Sequence, residues 1–209
     1  MKVSLIIPAY NEEKYIERTL KAIQGAEIIV VCNGCTDKTE EIARNYADKV
    51  VVLAEKGVSR ARNEGAKVAS HSRLVFMDAD MLPEKDLFEK IFLSSYTVGT
   101  CHVKADSLRF LDRFLMWAKS QFHGLGTCTG LLFIDKDIFE KAHGFEEYLT
   151  KKEDGRLLRR ARKLGRFGIA DVYVYNNMRR YRQKGYLKIW FFWMKEYIFP
   201  SKKEYESVR

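Results

Sequence analysis

Ile28–Ala43 reads IIVVCNGCTDKTEEIA, and two incompatible structures can be built on it. Cys32 and Cys35 form a C-x-x-C between an apolar run and a helical pattern, the setting of a thioredoxin-like redox pair. The same residues also read as a buried strand, a short polar loop and a helix capped at Asp37, with Glu40 three residues on completing a capping box. Strand, loop and helix in that order is how nucleotide phosphates are often held. What surrounds the stretch decides between the two.

The surrounding pattern repeats the second reading. Val3–Ile7, Glu27–Val31, Val50–Leu53 and Arg73–Met77 are short, rich in β-branched residues and bounded by polar loops, so they read as buried strands. Glu12–Gln24, Asp37–Tyr46 and Ser59–Ala69 read as helices between them, and Pro83 sits where the first turn of another helix, to about Leu93, should begin. This alternation predicts βαβ units and an α/β fold with a mainly parallel sheet flanked by helices. Ligands bind such sheets outside the carboxyl ends of the strands. Pro8–Asn11, Cys32–Thr36, Glu55–Ser59 and Asp78–Asp80 all fall at those ends, so four loops converge on one rim.

Beyond residue 100 the pattern weakens. Residues 101–150 mix short apolar runs with glycines, which suggests a smaller sheet extension, and Arg156–Leu164 reads as a helix. From Gly185 the chain is aromatic and apolar on nearly every face except an edge of Lys188 and Lys195. Leu187–Phe199 is too short and too charged to span a bilayer, which needs about 20 apolar residues. An aromatic, Lys-edged helix of this kind suits the interface of an anionic membrane, while packing on the domain or across a homodimer stays open.

At 209 residues the chain is long enough to bury a sizeable core as one domain or two small ones. Its first residues lack a signal-peptide pattern, and four cysteines make no disulfide framework, so a reduced, cytoplasmic setting is expected. The net charge of +9 is local. Residues 151–188 hold thirteen Lys/Arg against three acids, a surplus of +10, which leaves −1 for everything else. Such a span expects a phosphate, an acidic membrane face or nucleic acid, or is a solvated helix surface. No nucleic-acid-binding motif accompanies it.

RLVFMDADMLPE, Arg73–Glu84, drives an apolar strand into two carboxylates one residue apart. On a strand Asp78 and Asp80 share a face, and their mutual repulsion is relieved by a cation. A hard ion such as Mg2+ or Mn2+ takes one or two carboxylates and completes its shell with substrate phosphates and water.

The ordered set SLIIPAYNEEKYIERTL, IIVVCNGCTDKT, GVSRARNEGAKVA, LVFMDADMLPE, GTCTGLLFIDKDIFEKAHGF and KKEDGRLLRRARKLG resembles glycosyltransferase family 2, with the GT-A fold, across most of residues 3–185. The resemblance implies one GT-A domain over 1–184, with a nucleotide-binding half at 1–100 and an acceptor half at 101–184, followed by an aromatic and basic tail at 185–209. It also implies that Pro8, Ala9, Tyr10, Asn11 and Glu12 wrap the nucleotide, the Tyr10 ring stacking on its base. Arg62 would contact the nucleotide. Asp78 would approach the ribose and the metal, and Asp80 would be the firmer metal ligand. Asp154 of the Glu153-Asp154 pair matches the family's general base, giving a metal-dependent, inverting transfer from a nucleoside-diphosphate sugar of UDP or GDP type to a hydroxyl acceptor. A lipid-linked acceptor follows if residues 185–199 touch a membrane. NNMRRYRQKG further resembles a C-terminal arginine pair of small members, so that Arg179, Arg180 or Arg182 would fold over the diphosphate.

Asn33 stands where the family carries an acid that hydrogen-bonds the base. Cys32 lies five residues before the Asp37 cap, and the Asp37 carboxylate should raise rather than lower a nearby thiol. No second Cys or His pair supplies a zinc site. CNGC is therefore expected to be a nucleotide loop, with a redox or metal role, or a nucleotide- or nucleic-acid-binding module without turnover, as the alternatives.

Overall fold

The computed structural model describes residues 3–121, 130–149 and 152–189. Strands β1 (Val3–Ala9), β2 (Glu27–Asn33), β3 (Lys49–Leu53) and β4 (Arg73–Met77) form where the apolar runs predict them. β1 pairs in parallel with β2 and β4, and β2 pairs in parallel with β3. Leu5 and Ile7 enter one apolar layer and Ile6 the other, so the sheet is covered on both faces. That double cover is why its strands read as continuous apolar runs rather than alternating ones. Pro8 and Ala9, expected in the first loop, are the last residues of β1, and Ala9 is fully buried.

Helices α1 (Ile16–Ala22), α2 (Thr39–Arg44) and α3 (Val58–Val68) connect these strands. α1 begins four residues later than the periodicity predicts. The Glu12 and Glu13 N–H groups donate instead to Thr39 Oγ1 (2.7 Å) and Asp37 Oδ2 (3.1 Å), which draws this turn onto the second loop. The capping box does not form either. Asp37 Oδ1 accepts from the Thr39 N–H (3.0 Å), while Glu40 holds Arg44 (2.7 Å). α3 lies close on β1: a Cβ at Gly65 would sit 2.4 Å from Ile6 Cγ2, so only glycine permits the approach.

The second half supplies β5 (Leu82–Pro83), α4 (Leu87–Leu93), β6 (Val98–Ala105), α5 (Phe110–Gln121), β7 (Leu131–Asp135), α6 (Lys136–Lys141), α7 (Glu153–Ala161), β8 (Phe167–Asn176) and α8 (Arg179–Lys184). One sheet runs through both halves in the order β3-β2-β1-β4-β7-β6-β8-β5. β7 runs antiparallel to β4 and β6, β8 lies parallel to β6, and β5 is antiparallel to β8. Pro83 thus sits on the outermost strand rather than in a helix, an edge position where a residue without an N–H is tolerated. β8 buries Gly168, Ala170, Val172 and Val174 on alternate positions. Two of those four are too small to register as apolar alternation, so the sequence leaves this strand unassigned. α1, α4, α5 and α8 cover one face of the sheet, and α3, α6 and α7 cover the other.

No helix among the described residues is long and apolar enough to cross a membrane. Of the expected interfacial segment Leu187–Phe199, Leu187 is exposed and Ile189 buried, and residues from 190 on lie outside the described ones.

Candidate functional site

The first two loops of the rim are tied together by amides. Asn11 adopts φ +54°, a left-handed conformation that asparagine tolerates, and its Oδ1 accepts from the Thr36 N–H (2.8 Å). Asn33 is buried. Its Nδ2 donates to the Ala9 carbonyl (2.7 Å) and its Oδ1 accepts from the Gly57 N–H (3.1 Å). The amide expected at the nucleotide base therefore locks the first, second and third loops to one another. The Tyr10 ring borders this corner, with the Lys56 ammonium 5.1 Å from its centroid.

The two cysteines belong to the same corner as free thiols. Cys32 is buried and Cys35 half-buried, with Cys35 Sγ donating to the Ala9 carbonyl (3.4 Å). The expected rise in thiol pKa falls on Cys32, pushed up by its hydrogen bond with Cys35 and then by burial. Cys35 goes the other way, to about 7, because Cys32 donates to it and outweighs both burial and the Asp37 charge. The correction comes from contact between the two thiols, which spacing alone does not reveal.

Arg62 is the centre of the site. It projects from α3, is 4% exposed, and bridges three carboxylates from two distant segments. Its Nη1 contacts Glu153 Oε1 (2.8 Å) and Asp154 Oδ1 (2.7 Å), and its Nη2 contacts Asp78 Oδ1 (3.1 Å). The Phe145 ring lies 5.2 Å from the guanidinium. Burial opposes the charge, yet Asp154, Glu153 and Asp78 outweigh it and raise the guanidinium above its ordinary value. Arg62 Nε is buried without a hydrogen-bond partner. Glu153 and Asp154 sit in the first turn of α7, so the acid stabilising a helix dipole and the acid facing the site are the same residues.

Asp78 and Asp80 follow β4 as expected. Asp78 N–H donates to the Gly130 carbonyl (3.1 Å), and Gly130 has φ +70°. A Cβ on Gly130 would lie 2.2 Å from Met81 Sδ and 3.1 Å from Asp78 Oδ2, so glycine is required to close this side of the rim. Solvent reaches 45% of the Asp78 side chain, but the crowded cleft still pushes its carboxyl up, Arg62 pulls it down and Glu153 pushes it up again. Asp80 is also raised, to about 7, by burial first and then by the Asp78 charge, with Arg179 opposing. Arg179 Nη2 contacts Asp80 Oδ2 (3.2 Å) and both oxygens of Glu12 (3.0 and 2.8 Å), and its guanidinium lies 4.0 Å from the Tyr15 ring centroid. Burial lowers Arg180, while the fields of Asp78 and Asp80 pull it back up.

The third arginine of the C-terminal set goes elsewhere. Arg182 Nη2 bonds Asp112 Oδ2 (2.7 Å) on α5, which removes it from the diphosphate contacts expected of it. Other arginines of the basic span are likewise partnered within the chain. Arg160 bonds Glu146 and the carbonyls of Ala142 and Gly144, Arg156 bonds Glu146 (3.0 Å), and Arg162 lies over Phe167. The site thus gathers Glu12, Arg62, Asp78, Asp80, Glu153, Asp154, Arg179 and Arg180. Glu153, and Tyr15 beneath the Arg179 guanidinium, are the residues here to which the sequence assigns no role. Glu153 was readable from the paired acids of KKED, whereas nothing local singles out Tyr15.

Among the described residues no group of three or more His, Cys, Asp or Glu is arranged to hold a metal ion. Asp78 and Asp80 nevertheless fit a hard divalent cation that takes its remaining ligands from phosphate and water. They are oxygen donors, and burial together with the neighbouring Asp78 charge holds Asp80 near 7, a state that a cation relieves.

Residues 4–95 match the family model described as Glycosyl transferase family 2. The chain is 35% identical over 188 residues to the minor teichoic acid biosynthesis protein GgaB of Bacillus subtilis, covering 74% of this chain and 20% of that protein. Residues 1–349 of S. aureus TarS, solved in complex with UDP-GlcNAc, superpose with a TM-score of 0.70 at 22% identity, covering 86% of this chain and 59% of that one. The mannosyltransferase PcManGT from Pyrobaculum calidifontis, solved with GDP-Man and Mn2+, gives 0.67 at 24% identity, covering 84% and 56%. The chain spans a third or less of several such curated relatives. The shared fold is GT-A, and the family match spans the residues that carry the four rim loops. The chain belongs to glycosyltransferase family 2.

Proposed function

We propose that this chain transfers a sugar from a nucleoside-diphosphate sugar to a hydroxyl acceptor by a single, inverting displacement, with Asp154 as general base. The observation that carries the reading is the Arg62 bridge. One buried guanidinium joins Asp78, beside the expected diphosphate, to Asp154 and Glu153, on the expected acceptor side. A donor-side carboxylate and a base within reach of one side chain leave room for one reacting carbon between them.

In this reading Tyr10 and the Asn11–Glu12 turn border the nucleotide, and Asp78 and Asp80 would hold Mg2+ or Mn2+. Such an ion, when bound, offsets charge on the departing diphosphate. Arg179 and Arg180, already beside Asp80 and Asp78, are placed to meet phosphate oxygens. Asp154 takes the acceptor proton as the oxygen attacks from the face opposite the leaving group. Arg62 keeps the Asp154 carboxylate oriented for that step. The relatives support the donor class: TarS is solved with UDP-GlcNAc and PcManGT with GDP-Man and Mn2+.

A thermal-shift series with UDP, GDP, CDP and dTDP, each with and without Mn2+, tests the site. One nucleotide at about 100 times its Kd adds about 2.7 kcal/mol of stability, and the Asp80→Asn variant should lose the metal-dependent part. The absence of any shift, or a shift untouched by Asp80→Asn, would overturn the assignment of the rim. The anomeric configuration of the product, read by NMR, tests inversion.

A further inference from the structure

α5 presents its apolar side outward. Asp112 and Met116 face inward and are fully buried. On the other side Leu108, Phe110, Leu111, Phe114 and Trp117 are 94%, 78%, 61%, 53% and 59% exposed. The rings form a continuous row, Phe110 to Phe114 at 6.2 Å and Phe114 to Trp117 at 5.8 Å between centroids. Residues three and four apart share one helix face, so this is a single aromatic stripe. A contiguous exposed patch of this kind marks an interaction surface.

The charge around the stripe selects its partner. Arg109 and Arg113 are exposed along it. The acids of the same segment are turned inward. Asp112 holds Arg182 and Tyr186, and Asp106 accepts from the Met178 N–H and faces Arg18. The exposed charge beside the aromatic row is therefore positive. A symmetric contact with a second copy through this face would bring these arginines into an interface with no exposed acid of the segment to pair with them. An aromatic face with a cationic edge is what settles at the headgroup boundary of an anionic bilayer. We propose that the outer face of α5 docks on an anionic lipid surface. α5 is bonded to α8 through Asp112–Arg182 and through Lys119 Nζ to Tyr181 Oη (2.9 Å), and α8 carries Arg179 and Arg180 to the rim. Docking would thus hold the rim at a fixed distance from the lipid. The inference does not depend on which reaction the rim performs.

The test is co-sedimentation of the full chain with vesicles of phosphatidylcholine alone and of phosphatidylcholine containing phosphatidylglycerol, at low and physiological salt. The wild type should bind the phosphatidylglycerol vesicles, less so at higher salt, and bind pure phosphatidylcholine weakly. Phe114→Glu with Trp117→Glu should weaken binding by roughly tenfold or more, and Arg109→Glu with Arg113→Glu by roughly tenfold. These side chains are exposed, so both variants should melt like the wild type and keep the same nucleotide response. No vesicle binding by the wild type overturns the proposal. Unchanged binding by both variants moves the contact to another surface, such as residues 190–209, and also overturns it. Equal binding to both vesicle types removes the anionic specificity, and a wild-type dimer that the aromatic variant converts to a monomer assigns the face to a second copy instead.

Discussion

Glu27 at the amino end of β2 and Asp80 beyond the carboxyl end of β4 are both poorly exposed carboxylates, and they are held in opposite electrostatic states. Burial pushes Glu27 up, but donors overwhelm it. Ser4 Oγ (2.5 Å), the Ser70 N–H (2.9 Å), Ser70 Oγ (2.7 Å) and Lys49 Nζ (2.8 Å) all converge on it and hold it near 2. Asp80 meets burial and the neighbouring Asp78 charge with Arg179 as its opposing partner, and stays near 7. One end of the sheet surrounds an acid with donors. The other end gathers Glu12, Asp78, Asp80, Glu153 and Asp154 around Arg62, Arg179 and Arg180. A satisfied carboxylate supports the fold, whereas acids crowded in a cleft beyond the strand ends mark a place where a further cation and a ligand belong.

The largest effect expected at the rim is on turnover. Asp154→Asn should lower the rate by about 10²- to 10⁴-fold, the usual worth of a general base, while calorimetric nucleotide affinity stays within a few-fold. Full activity in this variant would break the division of the two ends into stability and chemistry. Arg62→Ala should come next, costing about 1–3 kcal/mol in denaturant unfolding because it leaves three crowded, partly exposed carboxylates without their shared cation.

Glu27→Gln should cost about 2–3 kcal/mol near neutral pH and leave nucleotide affinity unchanged. The sign follows from its lowered pKa. The folded protein releases this proton more readily than the unfolded chain, so the stability is present above about pH 4.5 and is lost as pH falls towards 2. A pH series of unfolding curves for wild type and variant, converging at the acid end, checks it. Loss of nucleotide binding in this variant would break the comparison from the other side. Asp80→Asn should have the opposite sign. The raised pKa means that the metal-free wild type loses stability as pH rises from about 4 to about 7, so the variant should be more stable by about 1–2 kcal/mol at roughly pH 8 and equal near pH 4. Added Mn2+ should narrow that gap by stabilising the wild type alone.

The first four strands, the convergence of their loops and the placement of Asp78, Asp80 and the Glu153-Asp154 pair were legible because each is written within a few neighbouring residues. An apolar run declares a doubly covered strand, and two acids after it declare a rim. The second half was less legible for an equally local reason, since β8 buries glycine and alanine where a readable strand would bury valine. Three assignments needed the folded chain. Arg62 reaches acids 91 and 92 residues away and one 16 residues away, Asn33 ties its amide to the backbone of two other segments, and Arg182 turns to Asp112 on α5. Sequence by itself determined the first four strands, the helices between them and which charges lie at their ends, because periodicity and turn chemistry act over one or two turns of chain. Only the tertiary structure decided which charge meets which, because a side chain's partner depends on groups that folding brings within a few ångströms from distant parts of the chain.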